Sequence, residues 1–404
     1  MNDQFGVTSY TYWMKGTGNM IDYLVLTKEI SVFQALEIKK NLELPVISRE
    51  EAGTKKYTSS GISSLKIWLN LDKILEEPEI CNCTLSAKVD GKRFYQNGKY
   101  DVEKTLATLS RILNDEGLSE IRWRLQNIAF KMEIASAYAT KYVELMNNGY
   151  SLKGIGAVKT ADDKKKPTKL QYKSDSIFLQ IEANKLDNTV GMQLRLAKRK
   201  INDMVRGNKY PVEDRDFSNY DGVLEELEKK LWICYLGRIA GTADYYSFKE
   251  AEKIIESSDK KPVEKENMRS VLKGVAVYKG IEDYLSHIGD ADKKYVFMKC
   301  IRTQKTAKTY IKMLQDDLRI NPVNISRRDA KELGIGKLKN LLLYEELINT
   351  DMNKVESWDE LIASMTPVAV INQNKDEKSV ETEHNTSEDW VFTAWNFSGE
   401  EDPF

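Results

Sequence analysis

The spacing of apolar residues changes near residue 215, and this change limits the folds open to the chain. Before it, short runs alternate apolar and polar residues, as half-buried strands do. After it, apolar residues recur at the period of amphipathic helices. The predicted strands span residues 21–26, 63–71, 84–89, 120–129, 176–182 and 192–198. The predicted helices span residues 102–113, 132–146, 222–240, 247–258, 262–288, 291–318, 327–334 and 337–350.

These patterns predict an α+β fold with two domains. An N-terminal antiparallel-sheet domain with helices occupies residues 20–215, and an all-α C-terminal domain occupies residues 216–350. A chain of 404 residues exceeds the size at which single cores stop growing, about 250–300 residues, which also favours division. Residues 1–19 form an N-terminal extension. Residues 351–404 are predicted to be a disordered acidic tail, because they become polar and charged with few aliphatic residues.

The charge is unevenly distributed along the chain. Residues 371–404 contain nine acidic residues against Lys375 and Lys378, which leaves 59 basic and 53 acidic residues in the rest of the chain. A basic body favours a polyanionic partner, and an acidic tail either competes for the same surface or recruits another protein. A solvated surface followed by a disordered end would give the same pattern.

Cysteine usage and hydropathy suggest the compartment. The chain has four cysteines, no secretion signal and no long apolar run, so we expect a cytoplasmic protein without a membrane partner. Cys81 and Cys83 have no second cysteine pair or nearby histidine to complete a zinc site, and we interpret them as strand residues.

Basic residues cluster in three parts of the N-terminal half. Their cations can neutralise phosphates, and Trp123 or Tyr172 can stack on an unpaired base. A solvated sheet face is the competing interpretation. The segment 153–173, rich in Lys, Gly and Pro, is predicted to be a mobile basic loop. The candidate nucleic-acid-binding residues are Arg122, Trp123, Arg124, Lys164, Lys165, Lys166, Arg195, Lys198, Arg199 and Lys200.

A further DNA-binding pattern lies at residues 325–348. Ser326 and Asp329 resemble a capping box that begins a short helix, and Gly334 with the next residue predicts a tight turn into a second helix. A helix-turn-helix of this kind would place Lys337 and Lys339 in the major groove. An ordinary pair of antiparallel helices would show the same pattern.

The order of segments in the first 325 residues resembles that of a known family. MIDYLVL at 20–26, SSLKIWLNLDKIL at 63–75, SIFLQIEANKLDN at 176–188, GMQLRLAKRKI at 191–201 and INPVNI at 320–325 carry the likeness. The succession is similar to the rolling-circle replication initiators of filamentous phages and related small plasmids. That resemblance implies DNA nicking, in which a tyrosine attacks a phosphodiester while a divalent metal polarises the phosphate.

Two tyrosines match the spacing that two-tyrosine nickases use. Tyr138 and Tyr142 lie four residues apart in YATKY and would share one face of a helix, so both are candidate catalytic nucleophiles. Core packing is the alternative, because Ile134 and Leu145 would lie on the same helical face.

The family holds its metal with a His-hydrophobe-His pair, and this chain departs from that pattern. Its only histidines are His287 and His384. If the protein is catalytic, we expect Mg²⁺ or Mn²⁺ held by carboxylates such as Asp72, Glu182 or Asp187; otherwise we expect no cofactor.

The last ten residues, WNFSGEEDPF, resemble the C-terminal tip of bacterial single-stranded-DNA-binding proteins. That likeness implies that Asp402, Pro403 and Phe404 recruit host replication proteins. A frayed acidic terminus that binds nothing is the alternative.

Together these patterns predict a phage or plasmid DNA-replication initiation protein that binds, and in its catalytic form nicks, origin or single-stranded DNA. A non-catalytic DNA-binding adaptor, or a viral nucleoprotein that coats nucleic acid, remains the alternative.

Overall fold

The structure is a computed structural model that describes residues 20–42, 54–57, 60–69, 83–96, 98–113, 122–150, 152, 157–163, 166–206, 215–241, 243–288 and 301–341. Its strands are β1 (Met20–Ile30), β2 (Thr54–Tyr57), β3 (Ile62–Leu69), β4 (Cys83–Asp90), β5 (Tyr95–Gln96), β6 (Lys99–Tyr100), β7 (Arg124–Ala135), β8 (Val158–Ala161), β9 (Lys169–Lys173), β10 (Ile177–Asn184), β11 (Thr189–Leu196), β12 (Tyr245–Tyr246) and β13 (Lys337–Leu338). Its helices are α1 (Val32–Asn41), α2 (Val102–Leu113), α3 (Ala139–Asn147), α4 (Lys198–Arg206), α5 (Leu224–Ala240), α6 (Phe248–Ser257), α7 (Pro262–Tyr278), α8 (Ile281–Ser286), α9 (Gln304–Asp316) and α10 (Arg327–Glu332). Among these helices none is long and apolar enough to cross a membrane.

Nine strands form one antiparallel sheet in the order β2-β3-β4-β1-β7-β11-β10-β9-β8. The strands β1 and β7 pair at the centre, although they are about a hundred residues apart in the chain. Antiparallel sheets often bury one face and leave the other to solvent. The alternation of burial along the strands shows that this sheet does so.

The buried face of the sheet is apolar. On β10 and β11 every second residue is buried, including Leu179, Ile181 and Leu194, while the residues between them are partly or fully exposed. On β1 the residues Leu24 and Leu26 continue the same apolar surface. We call this surface the core face, because its residues belong to the main hydrophobic cluster.

Helices contribute the rest of that cluster. The helix α2 buries Leu109 and Leu113, and α3 buries Val143 and Met146. The helix α5 is buried nearly all round, including Trp232, which explains why its apolar residues show no single stripe. The cluster continues from the sheet into the C-terminal helices α7 and α9 without a break.

Two buried asparagines close the C-terminal end of α5. The last carbonyls of a helix have no partner within it. The Nδ2 of Asn321 donates to the carbonyl of Ala240 at 2.6 Å, and the Nδ2 of Asn340 donates to the carbonyls of Gly241 and Ala243 at 3.0 and 2.9 Å. Through Asn321, the segment 320–325 therefore helps to hold the later residues of the chain against the C-terminal end of α5.

The predicted α+β class is confirmed: an antiparallel sheet with helices precedes a helical C-terminal region. The division at residue 215 stays a prediction. The N-terminal extension 1–19 and the tail 351–404 lie outside the described residues.

Two local predictions in the N-terminal half were wrong. The predicted helix 132–146 begins only at Ala139, because β7 continues through Ala135, where its residues pair with β11. Ile134 therefore lies on a strand, and Tyr138 is the N-cap of α3. The predicted mobile loop 153–173 contains β8 and β9, which pair with each other at the edge of the sheet.

The C-terminal region differs from prediction at three places. The predicted helix 262–288 is two helices, α7 and α8, separated by Lys279 in the left-handed conformation and Gly280. The predicted helix 291–318 is described only from residue 301, and α9 begins at Gln304. The predicted second helix of the helix-turn-helix begins instead as β13, which pairs with β12; residues 342–350 lie outside the described residues.

Candidate nucleic-acid interface

The opposite side of the sheet carries mostly polar, basic and aromatic side chains, and we call it the polar face. Side chains of directly paired antiparallel residues share a face, so the register defines its members. They are Ser64, Lys66, Thr84, Ser86, Lys88, Asp90, Tyr23, Val25, Thr27, Glu29, Arg124, Asn127, Ala129, Lys131, Glu133, Gly191, Gln193, Arg195, Phe178, Gln180, Glu182, Lys169, Gln171, Lys173, Val158 and Thr160. Val25 and Ala129 are buried here but do not belong to the core cluster.

One row of the polar face alternates aromatic and cationic side chains. Tyr23 pairs with Ala129, Ala129 with Arg195, Arg195 with Phe178, and Phe178 with Lys173. Three strand spacings of about 4.8 Å place the α-carbons of Tyr23 and Phe178 roughly 14 Å apart. Ala129, between Tyr23 and Arg195, has only a methyl side chain and therefore leaves space above it beside the Tyr23 ring.

Cations lie against both rings of this row. The guanidinium of Arg195 is 4.7 Å from the ring centre of Phe178, and Lys88 Nζ is 4.6 Å from the ring centre of Tyr23. These distances are typical of cation–π contacts. Burial raises the pKa of Tyr23, and the neighbouring charge of Arg195 offsets part of that rise. The Tyr23 hydroxyl is therefore neutral at physiological pH.

A second row, next to the first, is made of glutamines. Gln171 Nε2 donates to Gln180 Oε1 at 3.0 Å, and Gln193 Nε2 donates to Asp22 Oδ2 at 2.8 Å. Gln193 Oε1 in turn accepts from Arg195 Nε at 3.2 Å. Asp22 lies at a bulge in the pairing of β1 with β7, which lets its carboxylate reach this face. These bonds join β9 to β10 and β11 to β1, and the side-chain amides can both donate and accept.

The described part of the polar face has more bases than acids. Seven basic residues, Lys66, Lys88, Arg124, Lys131, Lys169, Lys173 and Arg195, face five acidic ones, Asp22, Glu29, Asp90, Glu133 and Glu182. Three ion pairs occur within the set, Arg124 with Glu29, Lys131 with Glu133 and Lys169 with Glu182. The local surplus is positive, although the whole chain has a net charge of −1.

The basic strand residues predicted from the sequence fall in different environments. Arg195 and Arg124 lie on the polar face, whereas exposed Arg122 pairs with Asp216 at 3.0 Å. Trp123 is only 5% exposed, with Lys28 Nζ 5.7 Å from its ring centre. Tyr172 is fully buried on the core face. Both rings are core residues in this conformation and present no free face for stacking.

The other predicted cations are spread over two segments. Lys198, Arg199 and Lys200 begin α4, where Arg199 is exposed and Lys200 is buried. Lys166 is exposed in the connection between β8 and β9, and its backbone N–H donates to Asp163. Lys164 and Lys165 lie outside the described residues.

The two candidate nucleophiles are not equivalent. The Tyr142 side chain is 3% exposed; its hydroxyl donates to the carbonyl of Lys339 at 2.7 Å, and its ring packs edge-on against Tyr245. Tyr138 is partly buried at the N-terminus of α3 and packs beside the core. The burial and contacts of Tyr142 agree with the core-packing alternative. A nucleophilic role for either residue stays a prediction.

The lysines of the predicted second DNA-binding helix lie on and beside β13. Lys337 Nζ pairs with Asp244 Oδ2 at 2.6 Å and lies 5.1 Å from the ring centre of Tyr246. Lys339 is exposed, and its backbone carbonyl accepts from Tyr142. The tail residues Asp402, Pro403 and Phe404 lie outside the described residues.

The structure does not gather the carboxylates proposed for a metal. Glu182 lies on the polar face beside Gln180, and Asp187 accepts from Asn184 in the β10–β11 turn; Asp72 is outside the described residues. In the described part of the chain no three His, Cys, Asp or Glu side chains come together as a metal site. The Mg²⁺ or Mn²⁺ site stays a prediction.

Sequence reasoning missed Tyr23, Lys88 and Phe178 as candidate binding residues. The signal was present in the alternation of SIFLQIE, where Ile177, Leu179 and Ile181 take the buried phase and leave Phe178 in the polar phase. An aromatic residue in the polar phase of a strand is a candidate stacking platform. Its meeting with Tyr23 and Arg195 depends on pairing between distant segments.

Comparison of the sequence with protein-family models gives no match, and comparison with curated proteins gives none.

Proposed function

We propose that this protein binds single-stranded DNA on the polar face of its sheet. The observation that carries the proposal is the row in which Tyr23 and Phe178 flank Arg195, with Lys173 at one end and Lys88 against the Tyr23 ring. Base-stacking platforms combined with cations that track the backbone are the usual means of holding an unpaired strand.

The chemistry of the face suits an unpaired strand better than a duplex. Tyr23 and Phe178 are partly exposed, and their rings could stack only on bases that are free of a helical stack. The surplus of basic residues would neutralise phosphates, and the glutamine row could donate to and accept from base edges. A duplex, whose bases are already stacked, would contact only the cations of this face.

We place this binding in DNA replication initiation by a phage or plasmid, as the segment order and the C-terminal tip suggest. Under this proposal the strand-binding sheet engages origin DNA and the tail recruits host replication proteins. A non-catalytic adaptor would use the same face, and a nucleoprotein would use it without sequence preference.

Binding can be tested with a fluorescently labelled single-stranded oligonucleotide and the full chain, measured by anisotropy. Stacking contributes about 1–3 kcal/mol per base, so the double variant Tyr23→Ala/Phe178→Ala should bind at least about tenfold more weakly. Phe33→Ala is the matched control, because Phe33 is 66% exposed on α1 rather than on the sheet. Wild-type affinity in the double variant would refute the polar-face assignment.

Matched duplex and RNA oligonucleotides define the ligand. We expect the single-stranded DNA to bind more tightly than the duplex, with the double variant removing that preference. Equal binding of the duplex through the same residues would show that phosphates alone are recognised. Tighter binding of RNA would redirect the proposal to RNA, because the 2′-hydroxyl distinguishes the two.

Nicking is a second candidate activity, favoured by the partial exposure of Tyr138. It is tested by incubating the protein with single-stranded origin DNA and Mg²⁺ or Mn²⁺ and searching for a covalent adduct. We expect Tyr138→Phe to abolish the adduct. If the wild-type chain forms none, the protein is a non-catalytic binder, and the anisotropy result still stands.

A further inference from the structure

A shallow pocket lies outside the polar face, between α2 and the connections that flank β3 and β4. Its volume is about 400 Å³. It is lined by two hydroxyl residues, three basic residues and one phenylalanine: Ser60, Thr108, Arg93, Lys104, Arg111 and Phe94. No acidic residue is among these described lining residues.

Local structure explains why the cations meet. Lys104, Thr108 and Arg111 follow one another at helical spacing and share a face of α2. Arg93 comes from the short 3₁₀ turn Gly91–Phe94 after β4. Gly61 has a φ of +86°, and a Cβ there would lie 2.8 Å from the Phe94 ring, so glycine allows the Ser60 turn to approach.

Some basic residues near the helices have acidic partners, but among the described residues the three cations of the pocket do not. Elsewhere Arg269 contacts Glu252, Glu256 and Glu266, and Lys141 contacts two carboxylates. Within the described residues, Arg93, Lys104 and Arg111 form no side-chain ion pair or ring contact. Three positive charges around one cavity repel each other, whereas an anion bound between them is attracted to all three.

We propose that this pocket binds a phosphate group. Two guanidinium groups and one ammonium group supply up to thirteen N–H donors, and guanidinium matches phosphate oxygens in a bidentate geometry. Thr108 Oγ1 already donates to the carbonyl of Lys104 at 2.7 Å, so the cations are the recognition groups. The volume admits a phosphate with part of the molecule that carries it.

The position of the pocket suggests where a phosphate could come from. Asp90, whose α-carbon pairs with Tyr23, caps the turn that carries Arg93. Arg93 therefore follows three residues after the partner of Tyr23, which makes a phosphate of the bound strand one candidate source. A free nucleotide or inorganic phosphate has the same chemistry, and the experiment separates these sources. The pocket does not depend on the proposed function, because phosphate binding is measurable without nucleic acid.

The test is calorimetric titration of the full chain with inorganic phosphate, ATP, and one oligonucleotide with and without a 5′-phosphate. The variant is Arg93→Gln/Arg111→Gln, and the matched control is Lys92→Gln/Lys99→Gln, two exposed cations that do not line the pocket. Losing charged hydrogen bonds should weaken phosphate-group binding about tenfold or more in the variant and leave the control unchanged.

The pattern of losses identifies the source. A 5′-phosphate advantage that disappears in the variant indicates a strand end, and an equal loss for both oligonucleotides indicates an internal phosphate. Weakened ATP or inorganic phosphate with unchanged oligonucleotides indicates a free anion. If the variant binds all four ligands as the wild type does, the pocket assignment is refuted, whatever the polar-face variants show.

Discussion

The two faces of the nine-stranded sheet are made by the same strands, yet they have opposite chemistry. The core face packs Leu24, Leu179 and Leu194 into one cluster with the helices. The polar face carries Tyr23, Phe178 and a surplus of cations in registered rows. Aromatic rings occur on both faces, so the residue type alone does not show whether a ring contributes to stability or to binding.

The first prediction compares two phenylalanines on opposite faces. Phe130 is fully buried on the core face, paired with Leu194, so Phe130→Ala should lower the free energy of unfolding by about 3–5 kcal/mol. Phe178→Ala, on the polar face, should cost much less and weaken DNA binding instead. Denaturant unfolding and anisotropy measured on both variants test this. Similar unfolding costs would contradict the division between the faces.

The second prediction concerns a buried carboxyl in the helical layer. Glu228 is 3% exposed and accepts from Trp232 Nε1 at 3.3 Å, and burial raises its pKa to about 8. The folded protein therefore keeps this proton up to about pH 8, while the unfolded chain releases it near pH 4.5. Stability should fall as pH rises through that window, by on the order of 5 kcal/mol.

Glu228→Gln removes this titration and keeps an acceptor for Trp232. The variant should unfold at higher denaturant concentration than the wild type at pH 8.5 and at a similar concentration near pH 4.5. Identical pH dependence in both proteins would show that Glu228 is ionised in the folded state. Glu226→Gln, an exposed neighbour on α5 paired with Lys230, is the control and should change little.

The third prediction addresses the charge of the polar face. Lys88→Gln and Arg195→Gln should each weaken single-stranded DNA binding several-fold and make its salt dependence shallower by about 0.7 in the logarithmic slope. Lys305→Gln, exposed on α9, should leave both quantities unchanged. Anisotropy titrations at several salt concentrations provide the measurement. An unchanged slope in both variants would place the phosphates elsewhere.

The fourth prediction separates the two tyrosines of YATKY. Tyr142→Phe removes the hydroxyl that donates to the Lys339 carbonyl and should lower stability by about 1–2 kcal/mol. Tyr138→Phe should change stability by less than half of that, because the Tyr138 hydroxyl forms no hydrogen bond with any of the described residues. Thermal unfolding of both variants checks the difference. A larger loss for Tyr138→Phe would reverse their assignment.

Much of the fold follows from local patterns. The helix α2 matches its predicted range, and the predicted strands at 63–71, 84–89 and 176–182 overlap β3, β4 and β10. The error at 132–146 also has a local cause: Ile128, Phe130, Met132 and Ile134 alternate in β7, but the apolar residues of α3 follow so closely that the two periods merge. In β8 and β9 the many lysines hid the alternation that Leu170 and Tyr172 continue.

The candidate site was less predictable. Arg195 was identified because basic residues cluster near it, whereas Tyr23 and Phe178 were not, because each is a single aromatic residue in an otherwise ordinary strand. The cations of the phosphate pocket come from α2 and from the turn after β4, which no local pattern connects.

The order of elements and the phase of each strand were encoded locally, since apolar spacing depends on neighbours a few residues away. The register between strands was not encoded locally. Tyr23, Arg195 and Phe178 come into one row only because β1 pairs with β7, β7 with β11 and β11 with β10. Likewise, Lys337 joins a strand rather than a helix because β12 pairs with it from about ninety residues earlier. Such pairings depend on contacts between distant segments, which folding brings together and the periodicity of a single segment does not reveal.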